Sequence, residues 1–476
     1  MKQELTKNIK MNNEQLKQFK EIAMETISNT PSTRLSPAVI KVIEKNDYVF
    51  DAHCHIFDGK CIDVKYFVIR LIGSVPEKFL RRVWRLLTRR EIFKLDEMSR
   101  DEMLDILYDD NLKIAYEGDF DRYLAQLEND IETELEQFDQ EKELASILDF
   151  DWKNFLRRLY SIIKILKTSR MSKVYKAFHD KYAVQNVEGG DLLTIVLGMD
   201  LNMSWSSAIQ ESFDEQFYEL LNLSYRKPIV PFLPLDPRRA ERTENEDGNE
   251  YRFNHLYDKF LEAFDKNNDR QYFGVKIYPA LGYLPSDSRL QPLFEICAAK
   301  GIPVVTHCGG EVVSSFKWGF DVDRFGEIIR CEGDSRKERA RWLNEPLQWK
   351  PILEKHEGLK LNLGHFGSAS AWSKPHGETA HRKEEIFDLM KDHSVYTDFS
   401  FNLESESATN NFVEKLKGQD EQSEQMQNRC MFGTDFWVVL PMSNLIDDTK
   451  QFILKVGEHK KRMLKDNVLE FLGINS

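Results

Sequence analysis

The sequence is poor in the features that mark secreted and membrane-spanning proteins. It has only six cysteines in 476 residues, and none of them forms a CxxC pair. Sparse, unpaired cysteines are typical of small core residues in a reducing compartment. No apolar stretch approaches the roughly 20 residues that span a bilayer, and the N-terminus lacks the apolar segment of a signal peptide. These absences predict a cytoplasmic protein.

A surplus of positive charge is also missing. The chain has 66 Lys and Arg against 79 Asp and Glu, so its formal net charge is −13. A nucleic-acid partner would need a basic footprint, and we therefore expect none. We expect no membrane partner either. The expected partner is a small-molecule substrate, and a homo-oligomer is left open.

A Gly-rich G-x-G-x-x-G loop is absent after the first apolar run, where an open dinucleotide-binding sheet would carry one. The chain instead has eight short apolar runs, most of them separated by amphipathic stretches such as "FNHLYDKFLEAFDKN". Apolar strands alternating with helices are typical of a parallel sheet. The eight predicted strands lie at 48–57, 191–201, 228–236, 272–280, 302–309, 359–367, 394–401 and 430–436.

Eight such strands with helical crossovers predict an α/β fold, a closed (β/α)8 TIM barrel. An open doubly wound sheet is the alternative. The barrel would comprise residues 47–57 and 191–476. Residues 1–46 would form an N-terminal helical segment, and residues 58–190 a large helical insertion after the first strand.

Charge is segregated within this insertion. Residues 78–90 and 153–176 are basic, whereas residues 117–149 are strongly acidic. A basic amphipathic helix can indicate a membrane surface or nucleic acid, but an acidic stretch between two basic ones favours helices of opposite charge that pack together. We expect the insertion to cap the predicted site or to form a dimer contact.

The predicted strand ends are rich in polar residues, and in such barrels catalytic groups cluster at the carboxyl ends of the strands. The first strand ends with Asp51, His53 and His55 in "DAHCHIF". Because side chains alternate along a strand, the two histidines point the same way and Cys54 points opposite. Later strand ends supply the other candidates: Lys276, Tyr278, His307, His365 and Asp435.

Four histidines and an aspartate at one structural level predict a divalent-metal site. Imidazole nitrogen and carboxylate oxygen suit zinc, manganese or iron in the +2 state, and a catalytic metal needs about three protein ligands. Any one of these histidines alone would be an ordinary polar residue at a strand end. His376 and His381, in the loop after the sixth strand, are weaker candidates. We expect the remaining histidines at the surface: His179, His255, His356, His393 and His459.

With these residues lined up, the chain resembles the amidohydrolase superfamily, and within it the amidohydrolase-related branch that includes nonoxidative decarboxylases and lactonases. The resemblance covers residues 48–57 and 191–472. It implies a metal-dependent enzyme on a TIM barrel. The matching stretches are "DAHCHIF", "PFLPLDPR", "GVKIYPALGYLPSDSRLQPLFEICAAKGIPVVTHCGG", "NEPLQWKPILEKHEGLKLNLGHFG", "VYTDFS" and "CMFGTDF".

The resemblance implies a role for each strand-end histidine. His53, His55 and His307 would bind a divalent ion, usually zinc, present as one or two ions. Asp435 would be a further ligand or the general base. His365 would bind a second ion or contact the substrate and the reacting group.

The fourth strand leaves two alternatives open. In two-metal relatives a lysine at the place of Lys276 is carboxylated and bridges the ions; otherwise Lys276 would donate charge to a substrate carboxylate. Tyr278 stands where many one-metal members carry histidine. This departure implies that substrate contacts differ from theirs.

The expected reaction is metal-assisted hydrolysis of an amide, ester or lactone, with Asp435 as general base. Arg238 could hold an anionic group of the substrate, since guanidinium grips carboxylate in a fork; it could equally be a surface residue. Trp437 and Tyr283 could wall the pocket or belong to the loop core. The long connection 310–345 is expected to shape the pocket through its aromatic residues, which are Phe316, Trp318 and Phe320.

Two rival functions remain open at this point. One is nonoxidative decarboxylation of a small aromatic carboxylic acid on the same metal site, which the ligand set does not separate from hydrolysis. The other is a barrel without activity that serves as a binding or assembly module through its insertion. The complete set of candidate ligands speaks against the second.

Overall fold

The computed structural model describes the barrel region nearly completely and the insertion only in part. The runs 78–90 and most of 117–149, as well as Phe316 and Trp318, lie outside the described residues. The described residues are 11–62, 125, 128–133, 152–167, 170–205, 209, 212–245, 248–309, 313–315, 317, 319–374, 376–377, 379–440 and 443–474.

Eight parallel strands form one sheet in the order β1-β2-β3-β4-β5-β8-β9-β10. The sheet closes, because Ala52 N donates to Phe432 O at 2.8 Å, Asp435 N donates to His53 O at 2.7 Å, and Cys54 forms a parallel bridge with Phe436. The predicted (β/α)8 barrel is therefore confirmed, and the open sheet is wrong. The strands are β1 Tyr48–Cys54, β2 Asp191–Leu197, β3 Ile229–Leu235, β4 Gly274–Ile277, β5 Val304–His307, β6 Asp321–Arg324, β7 Glu327–Arg330, β8 Leu361–Gly364, β9 Val395–Asp398 and β10 Cys430–Met431.

Helices fill most of the crossovers between neighbouring barrel strands, as a right-handed parallel barrel requires. The helices of the described residues are α1 Asn13–Thr26, α2 Pro37–Lys45, α3 Trp152–Leu166, α4 Met171–Ala177, α5 Gln185–Glu188, α6 Asn202–Trp205, α7 Phe213–Arg226, α8 His255–Phe264, α9 Gln291–Lys300, α10 Arg336–Leu343, α11 Lys350–Lys355, α12 Ala369–Ser373, α13 His381–Asp392, α14 Glu406–Leu416, α15 Glu421–Arg429, α16 Leu445–Val456 and α17 Asn467–Leu472. None of them has the length and apolar character needed to cross a bilayer.

A packed apolar cluster occupies the barrel interior below the strand ends. Phe50, Leu193 and Phe232 are fully buried in it, and α2 and α17 add their apolar faces. The packing is tight at β4, because a Cβ on Gly274 would lie 2.3 Å from the Phe232 ring. With the interior filled in this way, polar groups are left to the carboxyl ends of the strands.

Helix α1, residues Asn13–Thr26, packs on the outside of the barrel. Asn12 and Gln15 form a capping box at the start of α1, which satisfies backbone N–H groups that a helix start leaves open. Phe19 of α1 then packs against Tyr257, with ring centroids 4.7 Å apart.

The described part of the insertion packs against the carboxyl end of the barrel. Phe178 and Tyr182 contact the ring of Phe436, with centroids 4.8 and 5.4 Å away. Lys167 pairs with Glu128, so the acidic and basic runs meet at this point as opposite charges. The predicted domain boundaries and the role of the insertion stay predictions.

One element was not predicted. Within the connection 310–345, β6 and β7 form an antiparallel hairpin whose turn contains Phe325 at φ 52° and Gly326 at φ 96°. Phe320 precedes this hairpin and packs on a small cluster around Leu284 and Val322. The sequence "DVDRFGEIIR" alternates only weakly, which is why the hairpin was read as a loop.

Candidate metal centre

The carboxyl ends of four strands bring five polar side chains into one buried group. His53 lies in β1 and His55 directly follows it, His307 is the last residue of β5, and His365 directly follows β8. Asp435 follows β10 by four residues. All five side chains are buried, and none is more than 8% exposed. The structure thus brings together the candidates that the strand ends predict.

Three ligand atoms of this group face one another. His55 Nε2 lies 3.3 Å from Asp435 Oδ1, and His53 Nε2 lies 3.9 Å from the same oxygen. Neither His53 Nε2 nor Asp435 Oδ1 has a hydrogen-bond partner of good geometry among the described residues. These three residues form one of the clusters whose ligand atoms lie within 4.8 Å of one another.

The other ring nitrogens of the two histidines are already occupied. His53 Nδ1 lies 2.9 Å from Asp398 Oδ2, and His55 Nδ1 lies 3.0 Å from the carbonyl oxygen of Leu197. Both oxygens can only accept, so both Nδ1 atoms carry a proton, and in the neutral tautomer each Nε2 keeps its lone pair. In that tautomer three acceptors point at one another in a buried space, an arrangement that a cation between them stabilises.

Local backbone irregularities give His53 its position. Between Asp51 and Cys54, β1 advances three residues while β2 advances two, from Thr194 to Val196. Such a bulge re-aims side chains and is common beside active sites.

Two glycines make room for the His53 side chain. A Cβ on Gly364 would lie 2.8 Å from His53 Cε1, and a Cβ on Gly433 would lie 2.5 Å from His53 Cβ. Real Cβ atoms do not approach this closely, so any larger residue at either place would displace the imidazole.

Positive φ angles are concentrated at the strand ends of this site. His365 has φ 66°, Asp435 has φ 51° and Trp437 has φ 49°. Non-glycine residues rarely adopt this left-handed conformation, and where they do it often aims a functional side chain.

The remaining two histidines form a hydrogen-bonded pair. His365 Nε2 lies 2.9 Å from His307 Nδ1, and Tyr278 Oη lies 3.3 Å from His307 Nε2. The Tyr278 and His307 rings are also stacked, with centroids 4.2 Å apart. Burial lowers the pKa of His365 well below its ordinary value, so this imidazole is neutral.

A buried aspartate connects these groups, and the strand-end reasoning did not assign it a role. Asp398, the last residue of β9, accepts from His53 Nδ1 at 2.9 Å and from Asn362 Nδ2 at 2.7 Å. Ser400 Oγ bonds to it and lies 2.8 Å from His365 Nδ1. Burial alone would raise the pKa of Asp398, but the hydrogen bonds that it accepts from His53, Ser400 and Asn362 hold it below its usual range. The motif "VYTDFS" ends in this residue, so the rule applied to the other strands would have found it.

Lys276 of β4 points into the same region without a hydrogen bond. Its Nζ is buried and has no hydrogen-bond partner among the described residues. Burial lowers the pKa of the amine to about 8, although Asp398 and Asp435 oppose the shift. An amine held like this is a functional candidate, because its burial is costly and no hydrogen bond among the described residues offsets it.

Asp51 holds β1 to the end of the barrel. Its carboxylate accepts from Thr434 N at 3.0 Å, from Thr434 Oγ1 at 2.5 Å and from His53 N at 3.2 Å. Burial raises its pKa to about 7 despite these bonds. Asp51 therefore anchors the strands that carry His53 and Asp435, and it does not face the three ligand atoms.

A small cavity opens beside the metal-ligand group. His55, Tyr278, His307, His365 and Asp435 supply its polar wall. Its apolar wall consists of Met199, Val313, Phe401 and Val438. A polar wall opposite an apolar one is the usual form of a small-molecule site.

Three predicted substrate-contact residues lie elsewhere. Arg238 pairs with Asp236 and donates to Ser204 Oγ at 2.8 Å, and it lines a separate surface groove. Trp437 is fully buried against Phe57 and is not part of the cavity wall. Tyr283 lines the same groove as Arg238 and donates its hydroxyl to Leu235 O at 2.9 Å.

The histidines outside the strand ends take several positions. His381 pairs with Glu345 and His376 is exposed, and neither lines the cavity. The prediction of surface positions is wrong for His255 and His356, which are 0% and 6% exposed. Each lies in or directly after a helix, and one residue alone does not show whether it faces the core or the solvent.

The chemistry of the donor set fits a divalent ion. Two neutral imidazole nitrogens and one carboxylate oxygen match the preferences of zinc, manganese and iron(II). Each histidine also donates its second N–H to an oxygen, the arrangement that metal-ligating histidines adopt almost always. His307 does not belong to this three-residue cluster, since its Nδ1 faces His365.

Comparisons with known proteins give a family match for part of the chain. The amidohydrolase family model matches residues 240–474, a segment that carries Lys276, His307, His365, Asp398 and Asp435. No curated protein matches the chain.

Solved structures resemble the chain only distantly. An uncharacterised TIM-barrel protein from Bordetella bronchiseptica is 15% identical, with 61% of this chain and 80% of that chain covered and a TM-score of 0.39. An amidohydrolase from Burkholderia multivorans, solved with bound zinc, is 12% identical over 63% of this chain and 88% of that chain, with a TM-score of 0.38. A protein from Lactobacillus casei assigned as a metal-dependent hydrolase is 12% identical over 92% of this chain and 98% of that chain, also with a TM-score of 0.38. At these values the likeness assigns no substrate to this chain.

Proposed function

We propose, from the match of residues 240–474 to the amidohydrolase family model, that the protein is a metal-dependent hydrolase that cleaves a small amide, ester or lactone. The observation that carries the proposal is the meeting of His53 Nε2, His55 Nε2 and Asp435 Oδ1 in one buried place. Two imidazole nitrogens and a carboxylate oxygen that converge in this way make a binding site for a cation when neither Nε2 carries a proton.

In this proposal His53, His55 and Asp435 hold the divalent ion, with zinc as the first candidate. When bound, the ion supplies Lewis-acid polarisation of the substrate carbonyl. Asp435 has a second task, because its carboxylate also faces the cavity. It can accept the proton of the attacking water and return it to the leaving group.

His307, His365 and Tyr278 are proposed to contact the substrate. All three line the cavity, and the Tyr278 hydroxyl, which donates to His307 Nε2 in the resting site, can turn its proton toward a bound substrate. A donor in this place can stabilise negative charge that develops on a carbonyl oxygen. Lys276 lies deeper, and both of its proposed roles, as a carboxylated bridge or as a charge donor, remain compatible with its unpartnered amine.

The cavity wall indicates a small substrate with an apolar body. Met199, Val313, Phe401 and Val438 form one side, and no arginine or lysine is among the described residues that line it. Arg238 is engaged with Asp236. We therefore place the substrate carbonyl against the histidines and the apolar atoms of the substrate against the four apolar residues. Arg238 is no longer proposed to bind an anionic group of the substrate.

The test starts with the metal. Protein purified without chelator should carry on the order of one equivalent of a transition metal, and removal and return of the ion should abolish and restore activity on a panel of lactones, esters and amides. The His393→Ala variant is the matched control, since His393 lies outside the cavity and outside the candidate ligand clusters of the described residues. A metal content below about a tenth of an equivalent, with no uptake on titration, would overturn the proposal. Release of carbon dioxide from aromatic acids without hydrolysis would replace it by decarboxylation.

A further inference from the structure

We propose that Asp398 is the positioning residue of this centre, a single carboxylate that sets the proton positions of His53 and, through Ser400, of His365. The inference rests on the proposed metal site, because it explains how the ligand atoms are made available. It goes beyond that site because Asp398 touches neither the cavity nor Asp435.

The first arm runs to His53. Asp398 Oδ2 lies 2.9 Å from His53 Nδ1, and both side chains are fully buried. A carboxylate accepts but cannot donate, so Nδ1 carries a proton, and in the neutral imidazole Nε2 keeps its lone pair. A carboxylate behind a histidine also raises the basicity of the ligating nitrogen.

The second arm runs through Ser400. Its hydroxyl has a single proton and lies in contact with Asp398 Oδ1 and 2.8 Å from His365 Nδ1. Because the carboxylate must receive that proton, Ser400 Oγ accepts from His365 Nδ1–H. His365 Nε2 is then an acceptor as well.

The same direction of hydrogen-bond donation continues to the cavity wall. With its Nε2 accepting, His365 requires a proton on His307 Nδ1, 2.9 Å away. His307 Nε2 is then the acceptor for the Tyr278 hydroxyl at 3.3 Å. One charge at the end of β9 thus orders the hydrogen bonds of four strands, from Tyr278 to Asp398, in one direction.

An asparagine could not take over this task. Five donors converge on the Asp398 carboxylate: His53 Nδ1, Asn362 Nδ2, the backbone N–H groups of His365 and Ser400, and Ser400 Oγ. Donors surround both oxygens, so the amide group of an Asn side chain would meet another donor in either orientation. The imidazole of His53 would then lose its fixed tautomer.

The experiment compares three variants with the wild type. Asp398→Asn removes both arms, and Ser400→Ala removes only the arm to His365. Asp287→Asn is the matched control, because Asp287 is also a buried carboxylate with a hydrogen-bonded partner, Arg289, but lies away from the centre. Zinc affinity is measured by competition with a chromophoric chelator, and the histidine tautomers of the metal-free proteins by NMR of ¹⁵N-histidine, with each ring assigned by its His→Gln variant.

We expect Asp398→Asn to weaken zinc affinity about 10–100-fold, and Ser400→Ala and Asp287→Asn to leave it nearly unchanged. Wild-type His53 and His365 should carry their protons on Nδ1. In Ser400→Ala the proton of His365 should no longer be fixed on Nδ1, whereas that of His53 should stay there. If Asp398→Asn does not fold, the histidine tautomers of the wild type and of Ser400→Ala still test the inference. A proton on Nε2 of His53, or wild-type zinc affinity in folded Asp398→Asn, would overturn the inference. Wild-type protein that binds no metal but shows the expected tautomers would instead refute the proposed function.

Discussion

The Nδ1 atom of His55 lies 3.0 Å from the carbonyl oxygen of Leu197, the last residue of β2. A backbone carbonyl therefore orients this imidazole, whereas a side chain, Asp398, orients its neighbour His53. The difference matters, because no substitution of Leu197 can remove the carbonyl. The tautomer of His55 follows from barrel closure itself, and that of His53 depends on one replaceable residue.

Loss of a ligand should remove the metal-dependent part of the stability. In the wild type, zinc at about 100 times its dissociation constant should stabilise the fold by about 2.7 kcal/mol, which raises the melting temperature by a few degrees. In His55→Ala this rise should vanish, because one of three lone pairs is gone. Differential scanning fluorimetry with and without zinc measures it.

His459→Ala serves as the control for this experiment. His459 lies in the short helical turn Gly457–His459, far along the chain from the strand ends. This variant should keep the full zinc-dependent rise. An equal rise in His55→Ala would mean that zinc binds at another place.

Replacement of Lys276 should stabilise the metal-free protein and remove its activity. The Nζ of Lys276 is buried without a hydrogen bond, so methionine of similar length should raise the free energy of unfolding by about 1–3 kcal/mol. Lys300→Met is the matched control: Lys300 is also buried, but its Nζ donates to Met24 O at 2.6 Å and Asn29 Oδ1 at 2.8 Å. That variant should lose stability in urea unfolding. Destabilisation by Lys276→Met would show that the amine is a structural group.

The strand-end rule explains how much of this site could be predicted from sequence. His53, His307 and His365 each follow an apolar run, and a parallel barrel brings all such ends to one face. The boundaries were less certain: the run 430–436 forms only the two-residue strand Cys430–Met431. Asp435 and Trp437, which come after it, have positive φ angles that no local pattern signals.

The sequence alone does not reveal the role of a side chain where its hydrogen-bonding partner decides that role. Arg238 reads as an anion ligand until Asp236, two residues earlier, is seen to fold back onto it. Asp398 reads as one more strand-end acid until its five donors are counted. A side chain's pairing depends on contacts between distant segments, and a single sequence holds no record of them.

Added bulk at Gly364 should disturb the centre without a general effect on the barrel. In Gly364→Ala the new Cβ would lie 2.8 Å from His53 Cε1, so the ring must tilt and zinc affinity should fall on the order of tenfold or more. Gly274→Ala creates an equally severe clash with Phe232, away from the ligands. It should lower stability by about 1–3 kcal/mol and leave zinc affinity of the folded protein intact. Equal zinc affinity in Gly364→Ala would show that His53 is not a ligand.

His356 should contribute a pH dependence that is independent of the metal centre. It is 6% exposed, and its Nε2 lies 3.1 Å from Gln291 Oε1. Burial, with a smaller effect of Lys355, lowers its pKa to about 4 from an ordinary value of 6.5. Between these two pH values the unfolded chain binds a proton that the folded chain does not, so stability falls as pH falls through this window and is unaffected above it.

His356→Gln removes the titrating group but keeps a donor for Gln291. The difference in unfolding free energy between wild type and variant should therefore be constant above about pH 7. From there to about pH 4 the wild type should lose on the order of 1–3 kcal/mol of unfolding free energy relative to the variant. Urea unfolding at several pH values measures this difference, and His393→Gln, at a half-buried histidine, is the control. A constant difference across the whole range would mean that the folded protein admits the proton. In that case His356 would have to be accessible to water, against the packing of its ring on Phe294.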